Sequence, residues 1–214
     1  NSSCPVCKSK VIAKCGNIKV WHWAHESLEQ CDSWYEPMTQ WHLDWQGYVP
    51  EEFREVVVGH HIADIKLPSG KVIEIQHSNL PVEVVAEREA FYGNMVWIFD
   101  GEEFEDRFIT KEKYDDNGEL IYVGFRFKHP RQYIVRASKF PVYIDFGDWI
   151  FEVKKFKSFE NKGTYYGTER EYTTWGGWGF IREKDDRLLR QLFGILYIPQ
   201  LKPTDGGTTK EVCI

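Results

Sequence analysis

No apolar run in this 214-residue chain approaches the roughly 20 residues that span a bilayer. The opening stretch NSSCPVCKSK also lacks the apolar core of a secretory signal peptide. These two absences exclude a membrane-spanning helix and leave a soluble cytoplasmic protein as the expectation, with no membrane partner. There is no internal repeat, which excludes a solenoid or propeller array, and no low-complexity tract. Cysteine is scarce and odd in number: of five, four lie at positions 4, 7, 15 and 31, a poor basis for a disulfide framework and a better one for a metal site. A basic surplus is missing as well. The net charge of -6 argues against passive binding of a polyanion by the chain as a whole.

What is present is apolar and aromatic material. With 42% hydrophobic residues and nine Trp, the chain can bury a substantial core as one moderately large domain or as a core with a small appendage. Charge is unevenly spread. Residues 1–19 contain four Lys and no acid, and residues 123–163 contain nine Lys/Arg against four acids, a local surplus of five. That surplus reads either as an ordinary solvated face or as a polyanion footprint.

The N-terminal cysteines have metal-ligand spacing. Cys4-x2-Cys7 is a knuckle, and HWAH follows with His22 and His25. Tetrahedral zinc takes four N/S ligands, so Cys4, Cys7 and His25 are assigned, with either His22 or Cys31 as the fourth and Cys15 outside the site. All four positions can be filled by protein, which makes the zinc structural. Lys8, Lys10, Lys14 and Lys19 around it can contact a phosphate backbone.

Further along, EPMTQWHLDWQGYV predicts a helix from about Pro37 to Gly47. FREVVVG predicts a short strand. HIADIKLPSGKVIEIQHS predicts a hairpin of strands Ile62–Leu67 and Lys71–Gln76 about a Pro68-Ser69-Gly70 turn. A second helix, capped by Ser78 or Asn79 and stopped by Gly93, precedes MVWIFD, which reads as a strand buried on both faces. Beyond Asp100, GELIYVGFRF, FPVYIDF and WIFEVKKF are strand-like. ENKGTYYGTEREYTTWGGWG reads as a loop or loose hairpin, and DDRLLRQLFGIL as a helix through Leu188, Leu189, Leu192 and Leu196.

The hairpin carries the chemistry. Alternation puts Ala63, Ile65 and Leu67 on one face and Asp64 and Lys66 on the other; in the second arm Ile73 and Ile75 oppose Glu74 and Gln76. Two converging acids repel unless a hard cation lies between them, and such a cation serves phosphodiester hydrolysis. The alternative is a half-exposed hairpin with charges on its wet face.

Taken in order, CPVC, HWAH, WYEPMTQWHLDW, HIADI, VIEIQHS, EREAFY and VWIFD resemble the CoiA-like competence-protein family, within the PD-(D/E)XK nuclease superfamily. The later FPVYIDFGDWIFEVKKF and GWGFI are similar to that family's C-terminal part. The resemblance implies an α/β fold with an αβββαβ restriction-endonuclease-like core and mixed sheet, an N-terminal zinc-binding appendage and a β-rich C-terminal extension. It implies a catalytic set of Asp64, Glu74, Gln76 and Glu36. Asp64 and Glu74 would ligate Mg²⁺ or Mn²⁺, Gln76 would stand where the superfamily usually has Lys, and Glu36 would assist, with His42 as a further candidate. Lys66, on the same face as Asp64, can supply the charge that Gln76 lacks. Arg88 and Tyr92, spaced i, i+4, read either as phosphate contacts or as a packing pair.

The expected organisation is a zinc-binding motif at 1–33, a nuclease core at 34–100, the extension at 101–200 and a mobile tail at 201–214. Trp41, Trp45 and Trp97 are expected to pack, while Trp175 and Trp178 can either pack or stack on unpaired bases. The expected activity is metal-dependent cleavage of DNA in uptake, recombination or defence. The rival is a catalytically weak nucleic-acid-binding accessory of the same fold. A protein partner or homo-oligomer is compatible with both.

Overall fold

The structure, a computed structural model, describes residues 2–4, 7–15, 22–26, 32–34, 38–127, 138–165 and 168–194. It is a mixed α/β protein with a large mixed sheet, and its chain divides into two compact units, Asn1–Ile73 with Leu189–Ile214 and Glu74–Leu188. None of its helices is long and apolar enough to cross a membrane.

In the first unit, β1 (Ser2–Ser3), β2 (Lys10–Lys14) and β3 (His22–His25) form a small antiparallel sheet in the order β1-β2-β3. Helix α1 spans Gln40–Gln46. The predicted start at Pro37 lies outside the described residues; the first helical turn is held by Thr39, whose hydroxyl accepts from the His42 amide at 3.2 Å. Trp45 is fully buried, edge-on to Tyr48 at 5.7 Å and tilted against Phe193 at 6.3 Å.

Strands β4 (Arg54–Val58), β5 (His61–Lys66) and β6 (Val72–Gln76) follow, each antiparallel to the next, and the unit boundary falls inside β6. The hairpin turn is closed by Leu67 N–H to Lys71 O and Gly70 N–H to Leu67 O, both 2.9 Å, with Gly70 at φ 80° in the left-handed region that glycine adopts without strain. Along β5 the expected alternation holds. Ala63, Ile65 and Leu67 are buried, while Asp64 and Lys66 are half-buried on the opposite side.

In the second unit, α2 (Val82–Tyr92) leads through Gly93, at φ 66°, into β7 (Met95–Asp100), every residue of which is buried as predicted. The expected caps are not used. Pro81 occupies the N-cap, and Ser78 instead accepts from the Gln76 amide through its carbonyl at 2.8 Å. The strands β8 (Phe108–Tyr114), β9 (Leu120–Phe127), β10 (Val142–Asp145), β11 (Trp149–Tyr165) and β12 (Thr168–Glu183) complete the order β6-β7-β10-β11-β12-β9-β8, with β7 and β10 parallel. The core here is aromatic: Phe104, Phe108, Phe125, Phe127, Phe146 and Phe151 are buried against one another.

Of the two readings of the Gly- and Tyr-rich stretch, loop or loose hairpin, the hairpin is the one that forms, and it is long and regular: β11 and β12 pair from Trp149↔Glu183 to Tyr165↔Thr168, with a single register shift between Val153 and Lys155. Thr, Tyr, Trp and Phe suit a pleated surface, and the glycines sit where strands approach too closely for a side chain. A Cβ on Gly177 would lie 1.7 Å from the Lys155 carbonyl oxygen. The final helix, α3 (Asp186–Phe193), buries Leu188, Leu189 and Leu192 as its spacing predicts; Leu196 and the 201–214 tail lie outside the described residues.

Candidate metal centres and the hairpin site

Among the described residues, two groups of His, Cys, Asp and Glu bring their ligand atoms within 4.8 Å of one another. The first is Cys4, Cys7 and His25, the three zinc ligands assigned from spacing. The knuckle is folded by Cys4 N–H to Ser9 O at 2.8 Å and Lys8 N–H to Cys4 O at 3.0 Å, with Lys8 turned into the left-handed region at φ 61°. His25 comes from the end of β3 and sets Nε2 3.2 Å from Cys7 Sγ. The Cys7 thiol is drawn down to about 6, chiefly by the Ser9 hydroxyl and then by the Ser9 backbone, with smaller help from Cys4 and His25 against the opposing effect of burial. A thiolate at neutral pH is the ligand form.

Cys15 is exposed and lies outside the group. Two cysteine sulfurs and an imidazole nitrogen are a soft donor set that could hold a metal such as zinc. Neither candidate for the fourth ligand can be placed, because Cys31 and the His22 side chain lie outside the described residues.

The second group is His42, Glu55 and Asp64. His42 sits on α1 with a side chain only 12% exposed, its Nε2 3.3 Å from Asp64 Oδ1 and 3.9 Å from Glu55 Oε1. Gln46, one helical turn on, is buried and holds the arrangement together. Its amide donates to Glu55 Oε1 and, at 3.2 Å, to the backbone carbonyl of Asp64. The Glu55 carboxyl is pushed up to about 7, first by lost hydration and then by the Asp64 charge, with His42 and Gln46 acting the other way.

Glu55 stands at φ 48°, a left-handed conformation that a non-glycine residue adopts only at a cost, inside a strand. Two carboxylates within 4.8 Å repel by roughly 3.5 kcal/mol or more at an effective dielectric near 20 before solvent screening, which the partial exposure of both reduces. A cation between them removes that term. His42, Glu55 and Asp64 together form a group that could hold a metal ion.

Glu55 and Gln46 were not among the residues singled out from sequence. The strand register, which the sequence did not reveal, brings Glu55 in: β4 pairs Arg54 with Ile65 and Val56 with Ala63, so the acid between them falls opposite Asp64. Glu36, the assisting acid expected from the resemblance, lies outside the described residues. Lys66 is half-buried next to Asp64 along β5.

In the second unit, Glu74 and Gln76 occupy no wet face. Both are only 3% exposed, and the side of β6 they share is occupied by Arg88 of α2. Arg88 Nη1 donates to Glu74 Oε2 at 2.9 Å and lies 3.5 Å from Gln76 Oε1. Arg88 therefore points inward, and at 5% exposed its guanidinium is engaged with Glu74 rather than presented at the surface. Tyr92, on the same helical face, is half-buried with its ring edge-on to Phe91 at 5.2 Å.

Residues 2–33 match the family model of competence protein CoiA, N-terminal domain. The matched segment contains Cys4, Cys7 and His25, so the thiolate–imidazole cluster lies within the part of the chain that is similar to that domain. No curated protein and no solved structure matches the chain.

Proposed function

We propose that this protein is a divalent-metal-dependent nuclease of the PD-(D/E)XK type that hydrolyses phosphodiester bonds in DNA, in uptake, recombination or defence. The observation that carries this reading is the convergence of His42, Glu55 and Asp64 from α1, β4 and β5. The element order α1-β4-β5-β6-α2-β7 is compatible with it, and the similarity of residues 2–33 to competence protein CoiA supports a role in competence.

Asp64 and Glu55 would hold Mg²⁺ or Mn²⁺ with His42 as the nitrogen ligand. When bound, the cation supplies a low-pKa water and neutralises charge on the phosphate. The chain's own part is to keep three ligand atoms together: Gln46 orients Glu55, and Thr39 caps the turn that presents His42. Cys4, Cys7 and His25 would hold zinc, with His22 or Cys31.

The test is a cleavage assay on supercoiled, linear and single-stranded DNA with Mg²⁺, Mn²⁺ or EDTA. Wild type is compared with Asp64→Asn and Glu55→Gln, which change half-buried positions. Loss of a metal ligand removes several kcal/mol of charge stabilisation, so each variant is expected to cut at least roughly 100-fold more slowly. Cleavage that survives EDTA, or that Asp64→Asn leaves unchanged, overturns the proposal. The roles that the resemblance gives Glu74 and Gln76 form separate arms of the assay, as Glu74→Gln and Gln76→Ala.

The accessory-module reading has one observation in its favour: Glu74 is already neutralised by a buried resident cation, Arg88, at 2.9 Å. It predicts DNA binding with a steep salt dependence and no cleavage by any form.

A further inference from the structure

In the second unit, one face of the four strands β8-β9-β12-β11 is basic and aromatic over its whole width. Residues paired across antiparallel strands point to the same side, so the register defines this face. Lys113 pairs with Tyr122; Lys111 lies in a row with Gly124, Trp178 and Lys155; Ile109 lies in a row with Arg126, Gly176 and Lys157. The opposite side of the same strands carries Phe108, Phe125 and Phe127 into the core.

The ring contacts confirm which side chains are neighbours. Tyr122 and Trp178 have centroids 5.7 Å apart, Trp178 meets Phe180 at 6.1 Å, and the Arg182 guanidinium lies 5.3 Å above Phe180. Further along, Arg126 and Lys157 both cover the Phe159 ring, at 5.2 and 4.8 Å. The charge is lopsided. Lys111, Lys113, Arg126, Lys155, Lys157 and Arg182 share the face with one carboxylate, Glu152, which Lys154 and Arg182 already neutralise. Among the described residues, Lys111, Lys113, Arg126, Lys155 and Lys157 have no carboxylate partner within ion-pair distance. In a chain of net charge -6 this is an island of opposite sign.

We infer that this face is a binding surface for single-stranded DNA, with Tyr122, Trp178 and Phe180 as a platform for unpaired bases and Lys111, Arg126, Lys155 and Lys157 tracking the phosphates. A rigid sheet that interleaves half-buried rings with exposed cations matches what a single strand offers: a π-face on every base and one charge per nucleotide. A duplex hides its base faces and engages only the cations. The inference names a substrate form for the nuclease reading but stands on a different surface, and binding is measured in EDTA so that it and cleavage can fail separately.

The experiment is fluorescence anisotropy with a labelled oligo-dT of about 20 nucleotides, titrated from about 50 to 200 mM salt in EDTA. Wild type is expected to bind, with a log–log salt slope that falls by about 2 in the triple variant Arg126→Gln/Lys155→Gln/Lys157→Gln. Trp178→Ala is expected to weaken binding roughly tenfold or more. The triple variant alters exposed side chains and keeps the test valid if Trp178→Ala does not fold, as judged by circular dichroism. The proposal is overturned if wild type does not bind, if the triple variant binds with unchanged slope, or if duplex DNA or oligo-rU competes better than oligo-dT.

Discussion

Arg88 sets the charge balance of the buried side of β6, since its guanidinium donates to Glu74 at 2.9 Å where both are nearly inaccessible to water. Truncating one member of such a pair leaves a charge without compensation in a poorly hydrated place. Arg88→Ala is therefore expected to lower stability by about 3–5 kcal/mol in urea unfolding, and the double variant Arg88→Leu/Glu74→Leu to recover much of that loss. Glu55 gives the opposite expectation. It combines a left-handed backbone with a carboxylate beside Asp64, both unfavourable without a cation. Glu55→Asn, which tolerates that backbone and removes the repulsion, is expected to raise the stability of the metal-free protein by roughly 0.5–1 kcal/mol. The same change should weaken Mn²⁺ binding by calorimetry at least tenfold, the stability–function trade expected of a ligand site.

The β11–β12 hairpin shows how an element can be specified by what its residues lack. Gly176, Gly177 and Gly179 lie against carbonyls of neighbouring strands, and the Gly177 position leaves least room. Gly177→Ala is expected to cost about 2 kcal/mol or more, read as a lowered melting temperature, because the backbone of Lys155 cannot retreat without breaking the ladder. Helix α3 is tied at its C-terminal end by Lys71, whose ammonium donates to the Leu192 carbonyl at 2.6 Å. Partial burial draws the Lys71 pKa down, yet the cation sits where the helix dipole favours it.

Taken over the whole chain, an acidic protein carries two locally basic regions, the N-terminal lysines and the β8-β9-β12-β11 face. Its response to acid has a definite sign. Burial alone would raise the Glu152 carboxyl, but Lys154 and Arg182 outweigh it and hold the group below its ordinary value. A carboxylate with a depressed folded pKa contributes stability that is present above the unfolded value near 4.5 and lost as pH falls through the folded one. Unfolding free energy measured from pH 6 down to about 3 is therefore expected to fall less steeply in Glu152→Gln than in wild type, with the two curves converging at the acid end.

Local chemistry was readable in one dimension. The Cys4-x2-Cys7 knuckle, the 2-residue period of β5, the apolar run of β7 and the leucine spacing of α3 each depend on neighbours a few positions apart, so composition and period identified them. Long-range partnership was not readable. Whether Glu74 and Gln76 face water or a helix depends on Arg88, fourteen and twelve positions away, and β6 has the same alternation in either case. Glu55 and Gln46 joined His42 and Asp64 because a strand register and a helical turn bring them together across nine to eighteen residues. The basic face of the long hairpin emerged in the same way: its cations and rings come from four strands scattered over residues 109–182 and share a side only once the pairing is known. A side chain's type sets what it can do, while the desolvation and charge around it, supplied by distant segments, set what it does.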